Sequence, residues 1–155
     1  MTSPNAKESA RHSWTLTFDG GASPNPGIAS CAFKAVSNAG KVIEDHWKME
    51  GIRTNNEAEW DAVATGIEQI SRHDPDARFI KVIGDSELVI NQLSGLYKVK
   101  NHKLRPFNDR VAKIKKQGIR MAFYHVKREF NTEMDAACKS ARGYKGTRLT
   151  TFHDH

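Results

Sequence analysis

Apolar and polar positions change period several times along this chain, and each change predicts an element. Trp14-Thr15-Leu16-Thr17-Phe18 alternates apolar with polar, the period of a strand with one buried face. Glycines and prolines then crowd residues 20–27, which predicts a loop and leaves Asp19 closing the first strand. Residues 28–36 and 41–49 predict two further strands about the turn Ser37-Asn38-Ala39-Gly40, and an antiparallel meander of three is the economical arrangement. Over residues 56–70 the period lengthens. Trp60, Val63, Ala64, Ile67 and Ile70 recur at helical spacing and form one apolar stripe. Phe79-Ile80-Lys81-Val82-Ile83 predicts a short strand, and residues 86–93 a helix stopped by Gly95. Pro106 suits a first helical turn, with Phe107, Val111 and Ile114 following and Gly118 ending that helix. Residues 121–126 predict a fifth strand. Thr132 opens a last amphipathic helix marked by Met134, Ala137, Cys138 and Ala141.

The order βββαβα(α)βα predicts an α/β fold: a five-stranded mixed sheet, three antiparallel strands and then alternating strands and helices, flanked by helices. One domain is expected over residues 14–142. Residues 1–13 are polar and unpatterned, and are expected as a flexible tail. Residues 143–155, basic and ending His-Asp-His, carry no packing pattern and are expected as a C-terminal tail.

Composition narrows the classes. A chain of 155 residues, 38% hydrophobic and 27% charged, is long and apolar enough for one cored domain, which excludes a disordered protein. No apolar run could cross a bilayer, and residues 1–7 lack the apolar centre of a secretory signal. A cytoplasmic monomer with no membrane role is expected. Cys31 and Cys138 stand far apart without a Cys-x-x-Cys pair, which argues against a structural zinc site and a disulfide framework and fits two buried thiols. Net charge is +6, and its distribution says more than its size. Between Lys98 and Lys116 eight basic residues face one acid, Asp109, so this block carries +7 and the rest of the chain −1. A basic block on a neutral body suits a polyanionic partner, although a solvated lysine-rich helix face would look the same.

The chemistry rests on four carboxylates. Asp19 and Asp85 fall at strand ends, where open α/β sheets place their ligand sites. Glu59 lies one turn before Val63 on the inner face of the first helix, and Asp135 at the start of the last helix. Each admits a plainer role: Asp19-Gly20 as a hairpin turn, Asp85 and Asp135 as helix N-terminal anions, Glu59 as a surface carboxylate. As a set they repel one another, and a hard divalent cation such as Mg²⁺ or Mn²⁺ offsets that cost through oxygen ligation. Two such ions about 4 Å apart would suit phosphodiester hydrolysis without a histidine or cysteine nucleophile.

Four segments carry a resemblance: Phe18-Asp19-Gly20-Gly21-Ala22-Ser23-Pro24-Asn25-Pro26-Gly27, Thr54-Asn55-Asn56-Glu57-Ala58-Glu59, Gly84-Asp85-Ser86-Glu87-Leu88-Val89, and Arg128-Glu129-Phe130-Asn131-Thr132-Glu133-Met134-Asp135. Their order and spacing, over about residues 14–142, resemble the type 1 ribonuclease H family. The resemblance implies hydrolysis of RNA in an RNA–DNA hybrid with two Mg²⁺ ions, leaving 5′-phosphate and 3′-hydroxyl ends. It selects Asp19, Glu59, Asp85 and Asp135 as catalytic metal ligands over the neighbouring Glu57, Glu87 and Glu133. It also implies that Asn25, Asn55 and Asn56 contact the hybrid's minor groove, that Thr54 helps hold a DNA-strand phosphate, and that Ser86 lines the groove. Turn and cap chemistry would explain the asparagines equally.

Two features depart from the family's pattern. The basic protrusion that many members carry is missing, so the chain resembles the compact forms, with Lys98, Lys100, Lys103 and Arg105 as candidates for a replacement phosphate grip. The histidine usual on the loop before the last helix is also missing. His125 falls within the fifth strand instead, and Arg128 is the candidate to compensate by charge. Rival readings are another nuclease of the same fold and a non-catalytic hybrid- or duplex-RNA-binding module.

Overall fold

The computed structural model describes residues 10–143 and 149–154. Three strands, β1 (Ser13–Ser23), β2 (Ile28–Ser37) and β3 (Lys41–Lys48), form the expected antiparallel meander. Helix α1 (Asn55–His73) leads into β4 (Phe79–Gly84), which pairs parallel with β1. After α2 (Glu87–Leu93) and α3 (Arg105–Lys115), β5 (Arg120–His125) pairs parallel with β4. A 3₁₀ turn at Arg128–Phe130 precedes α4 (Thr132–Arg142). The five expected strands therefore assemble as the pattern predicts, in the order β5-β4-β1-β2-β3.

A sixth strand, β6 (Leu149–Asp154), extends this sheet antiparallel to β3. The expectation of an unpatterned tail over 143–155 is corrected in this stretch. The free edge of β3 presents unpaired backbone donors and acceptors that a short strand can satisfy, and Thr150, Thr151 and Phe152 are good strand formers. Residues 1–9, 144–148 and 155 lie outside the described residues, as does most of the expected N-terminal tail. Where that tail is described it is held: Arg78 N–H donates to the His12 carbonyl, and the His12 ring pairs with Asp74 at 2.9 Å.

The second correction concerns β1. It runs past Asp19 to Ser23, with Gly20, Gly21 and Ala22 paired against Cys31, Ser30 and Ala29 of β2. The glycine-rich stretch continues the strand because glycine is needed there for close approach and not for a turn. A Cβ on Gly20 would lie 2.3 Å from the Ala58 carbonyl carbon, so α1 rests directly on the strand backbone.

Both faces of the sheet are covered. On one face α1 buries Trp60, Val63, Ala64, Ile67 and Ile70 against Leu16, Phe18 and Phe33. On the other, α4 packs Met134 and Cys138 over Ala32. Neighbours on β2 point to opposite sides, as strand geometry requires: the Cys31 thiol faces the Ala58 carbonyl of α1, whereas the Ser30 hydroxyl donates to the Cys138 carbonyl of α4. Both cysteines are buried free thiols, as expected. Among the described residues no helix is long and apolar enough to cross a membrane.

Candidate active site

Four elements converge where β1 leaves its partner β4. Their parallel pairing ends at Thr17 opposite Ile83, so Asp19 on β1 and Asp85 just beyond β4 project past the same sheet edge. Phe18 packs beneath Gly84, where any Cβ would stand 2.5 Å from its ring. Glu59, the fifth residue of α1, reaches Asp19 because Gly20 lets the helix come down on the strand. Asp135 enters from the first turn of α4. All four line one cleft of about 390 Å³.

Asp19, Glu59 and Asp85 form the tightest group, each offering an oxygen within 4.8 Å of the others. Asp19 and Glu59 are each only 6% exposed. Burial pushes the Asp19 carboxyl up to about 6, and the charges of Asp85 and Asp135 add to it, against hydrogen bonds from Glu59 and the Gly20 N–H. Glu59 stands well above the ordinary range, first through burial and then through the adjacent Asp19 charge. Its Oε2 is buried and has no hydrogen-bond partner among the described residues. A buried acceptor without a donor is costly, and carboxylate crowding compounds that cost. A hard divalent cation answers both, so the residues present fit such an ion.

Asp135 lines the cleft without joining that trio. Its carboxylate pairs with Lys139 one helical turn on, at 3.0 Å. The sequence assigns Asn131 no role of its own, yet its buried side chain donates to the Phe18 carbonyl at 2.9 Å and to Asp85 Oδ2 at 3.2 Å. It ties the start of α4 to both carboxylate-bearing strands. Lys139 and Arg142 also line the cleft, at four and seven residues after Asp135. Helical periodicity counted forward from Asp135 would have found both.

The neighbouring acids lie elsewhere, two of them paired with cations. Glu57 closes a capping box with Thr54 and pairs with Arg53 at 3.0 Å. Glu133 is exposed and pairs with Lys34 at 3.2 Å, and Glu87 is exposed in the first turn of α2. None of the three lines the cleft.

The polar candidates divide. Asn55, Asn56, Ser86 and Arg128 line the cleft. Ser86 also caps α2 through the Val89 N–H. Asn25 and Thr54 do not line it. Asn25 Oδ1 accepts the Asn55 N–H at 3.0 Å, and Asn55 Oδ1 accepts the Ala22 N–H at 2.7 Å, which fastens the β1–β2 turn to the start of α1. Thr54 is the α1 N-cap, and its hydroxyl accepts the Glu57 N–H at 3.1 Å. Lys98, Lys100, Lys103 and Arg105 are exposed and outside the cleft walls. Part of the basic block is structural. Arg110 of α3 bridges Asp61 and Glu68 of α1, and Lys115 reaches the Leu93 carbonyl. His125, at the end of β5, is exposed and likewise outside the cleft.

This geometry meets the comparisons with known proteins. Residues 17–141 match the family described as reverse transcriptase-like, a span that contains all four carboxylates. The chain belongs to the ribonuclease H-like family. It is 32% identical over 124 residues to a ribonuclease HI of Halobacterium salinarum, covering 80% of this chain and 61% of that protein. It is 31% identical over 135 residues to a bifunctional protein of Mycobacterium tuberculosis, covering 81% of this chain and 36% of that one. The chain thus spans less than two thirds of either of these curated relatives.

Solved structures of ribonuclease H domains match over nearly their whole length. The N-terminal RNase H domain of the M. tuberculosis protein superposes with a TM-score of 0.75 at 28% identity, covering 84% of this chain and 93% of that one. LC11-RNase H1 in complex with an RNA/DNA hybrid gives 0.74 at 30% identity, covering 83% and 95%. This ribonuclease H-like domain therefore has the fold that its carboxylate motifs implied.

Proposed function

We propose that this chain is a ribonuclease H, an endonuclease that hydrolyses the RNA strand of RNA–DNA hybrids and leaves 5′-phosphate and 3′-hydroxyl ends. The observation that carries this reading is the oxygen cluster of Asp19, Glu59 and Asp85, within 4.8 Å and with Glu59 Oε2 unpartnered. It supports two Mg²⁺ ions, or Mn²⁺ in their place, held by these three residues and Asp135. Such ions, when bound, supply water activation and stabilisation of the leaving oxygen in phosphodiester hydrolysis. The relative solved with an RNA/DNA hybrid supports the same substrate.

The chain's own groups do the positioning. Asn131 fixes the rotamer of Asp85, and the Lys139 ammonium holds Asp135 in place before substrate arrives. Asn55 and Asn56, at the first turn of α1, face the minor groove from one wall of the cleft. Arg128, on the opposite connection after β5, supplies positive charge where relatives of the family use a histidine. The exposed Lys98, Lys100, Lys103 and Arg105 hold phosphates beyond the cleft, so binding weakens with salt.

The test is cleavage of labelled RNA–DNA hybrid, duplex DNA, duplex RNA and single-stranded RNA, with Mg²⁺ or Mn²⁺. Cutting of the hybrid's RNA strand alone, lost in Asp19→Asn, is expected. Hybrid binding without cleavage under either ion would instead make this a binding module.

A further inference from the structure

Arg142 closes α4 at the edge of the cleft, and nothing in the family's motifs reaches it. One of its nitrogens, Nη1, makes every hydrogen bond the residue has among the described residues. It donates to the Gly21 carbonyl at 3.4 Å, to the Ser30 hydroxyl at 3.1 Å and weakly to Cys138 Sγ at 3.8 Å. Nη2 and Nε have no partner among the described residues. Arg142 also has no carboxylate partner there, although four carboxylates line the same cleft. Lys139, one turn earlier, is by contrast neutralised by Asp135. A guanidinium carries five N–H donors in a fixed planar fork, and fixing Nη1 on the Ser30 hydroxyl and the Gly21 carbonyl leaves the Nε–Nη2 edge free to donate.

The wall beside it is bare. A Cβ on Gly21 would lie 3.4 Å from Arg142 Nη1 and 3.7 Å from Asn55 Oδ1, so glycine leaves open backbone between the two side chains. Asn55, Gly21 and Arg142 thus make a continuous polar ledge along the flank of the carboxylate cluster. A neutral ligand would not need a cation there. A phosphodiester would, because the carboxylates repel the same anion that they must approach.

We propose that Arg142 is a substrate-positioning residue that holds a backbone phosphate of the bound nucleic acid beside the carboxylate cluster. This rests on the hybrid-cleaving reading given above. The bond is charge-assisted and made by Nη2 and Nε, while Nη1 stays on β1 and β2. Arg142 therefore sets the strand's register against Asp19 without touching the reacting atoms.

The test measures the affinity of the full chain for a short labelled RNA–DNA hybrid across a range of KCl concentrations, in Mg²⁺. An Asp19→Asn background prevents cutting. Arg142→Gln is expected to weaken binding and to flatten the slope of log K against log salt by about 0.7–0.9, the loss of one phosphate contact. Arg142→Lys is expected to keep the slope. With Asp19 restored, Arg142→Lys should raise KM several-fold at nearly unchanged kcat, since one ammonium cannot hold backbone and phosphate together. A purely structural anchor predicts a lower Tm for Arg142→Gln with no change of slope, and that result would overturn the assignment. If Arg142→Gln fails to fold, an unchanged KM in Arg142→Lys overturns it. Wild type that neither binds nor cuts the hybrid overturns the underlying reading as well. Wild type that cuts while the slope stays put removes only Arg142.

Discussion

Asp19 and Glu59 crowd two buried carboxyl groups into one cleft, with oxygens within 4.8 Å of each other, and burial disfavours the charged form of both. The strain is built into the metal-free fold, and its dependence on pH has a definite sign. Asp19 is raised from 3.8 to about 6, mostly by burial. Between those values the folded chain keeps a proton that the unfolded chain releases. Stability is therefore fully present below about pH 4, falls as pH rises towards 6, and levels off above. The opposite slope belongs to paired surface carboxylates, so the comparison must isolate Asp19. In EDTA, Asp19→Asn is expected to gain stability over wild type as pH rises from 4 to 7. The gain at pH 7 should be on the order of 2 kcal/mol, or roughly 4 to 8 °C in Tm. Melting curves of both proteins over that range decide it, and a constant Tm difference would refute the burial account. Cys138 on the neighbouring helix is pushed up to about 12, again chiefly by burial, so its thiol does not titrate in this window.

Elements place these residues, and their patterns were unequally legible. The apolar stripe of α1, the meander and the strand ending at Asp85 each bury a regular face, and periodicity reports that directly. The carboxylates were legible only as a set, through the order and spacing of the four motif segments that carry the family resemblance, since each alone admits a turn, cap or surface role. What the pattern hid was set by contacts distant in sequence. Gly20 and Gly21 look like loop residues, but they are strand residues pressed under α1 and beside Arg142. β6 depends on a free edge of β3 that its own sequence cannot announce. The role of Thr54 was blurred for the opposite reason, since capping and phosphate binding call for the same hydroxyl. The contact at Gly20 can be tested. Gly20→Ala would put a methyl 2.3 Å from the Ala58 carbonyl carbon and 2.4 Å from the Glu59 N. Backbone on both sides leaves no rotamer to yield, so α1 must lift, and a cost of about 3 kcal/mol is expected. Because Glu59 moves with the helix, turnover should fall about 100-fold even at temperatures where the variant is folded. Gly21→Ala meets only side-chain atoms and should retain the fold. A Gly20→Ala protein with wild-type Tm and activity would show that α1 does not rest on β1.

At the scale of the whole molecule two opposite electrostatic features must coexist: a cleft with four carboxylates and a block of residues carrying +7. On the proposed function, the exposed part of the block attracts a polyanion and the cleft repels it until cations bind. A metal that binds the folded cleft, and not the unfolded chain, stabilises the protein by RT ln(1 + [L]/Kd), about 1.4 kcal/mol at ten times Kd. At pH 7.5, saturating Mg²⁺ is therefore expected to raise Tm by roughly 3 to 6 °C over EDTA. At pH 5 the rise should shrink, because Asp19 with its raised pKa of about 6 binds a proton that the ion must displace. In Glu59→Gln it should largely vanish, since the unpartnered Oε2 is lost as an anionic ligand. Ionic strength needs matching with KCl throughout, because screening the Lys98 to Lys116 block would itself stabilise the fold and could imitate metal binding. An equal Tm rise in wild type and Glu59→Gln at matched ionic strength would assign the effect to screening and leave the cleft without a metal role. A rise confined to wild type, and weakened by acid, would tie it to the carboxylates.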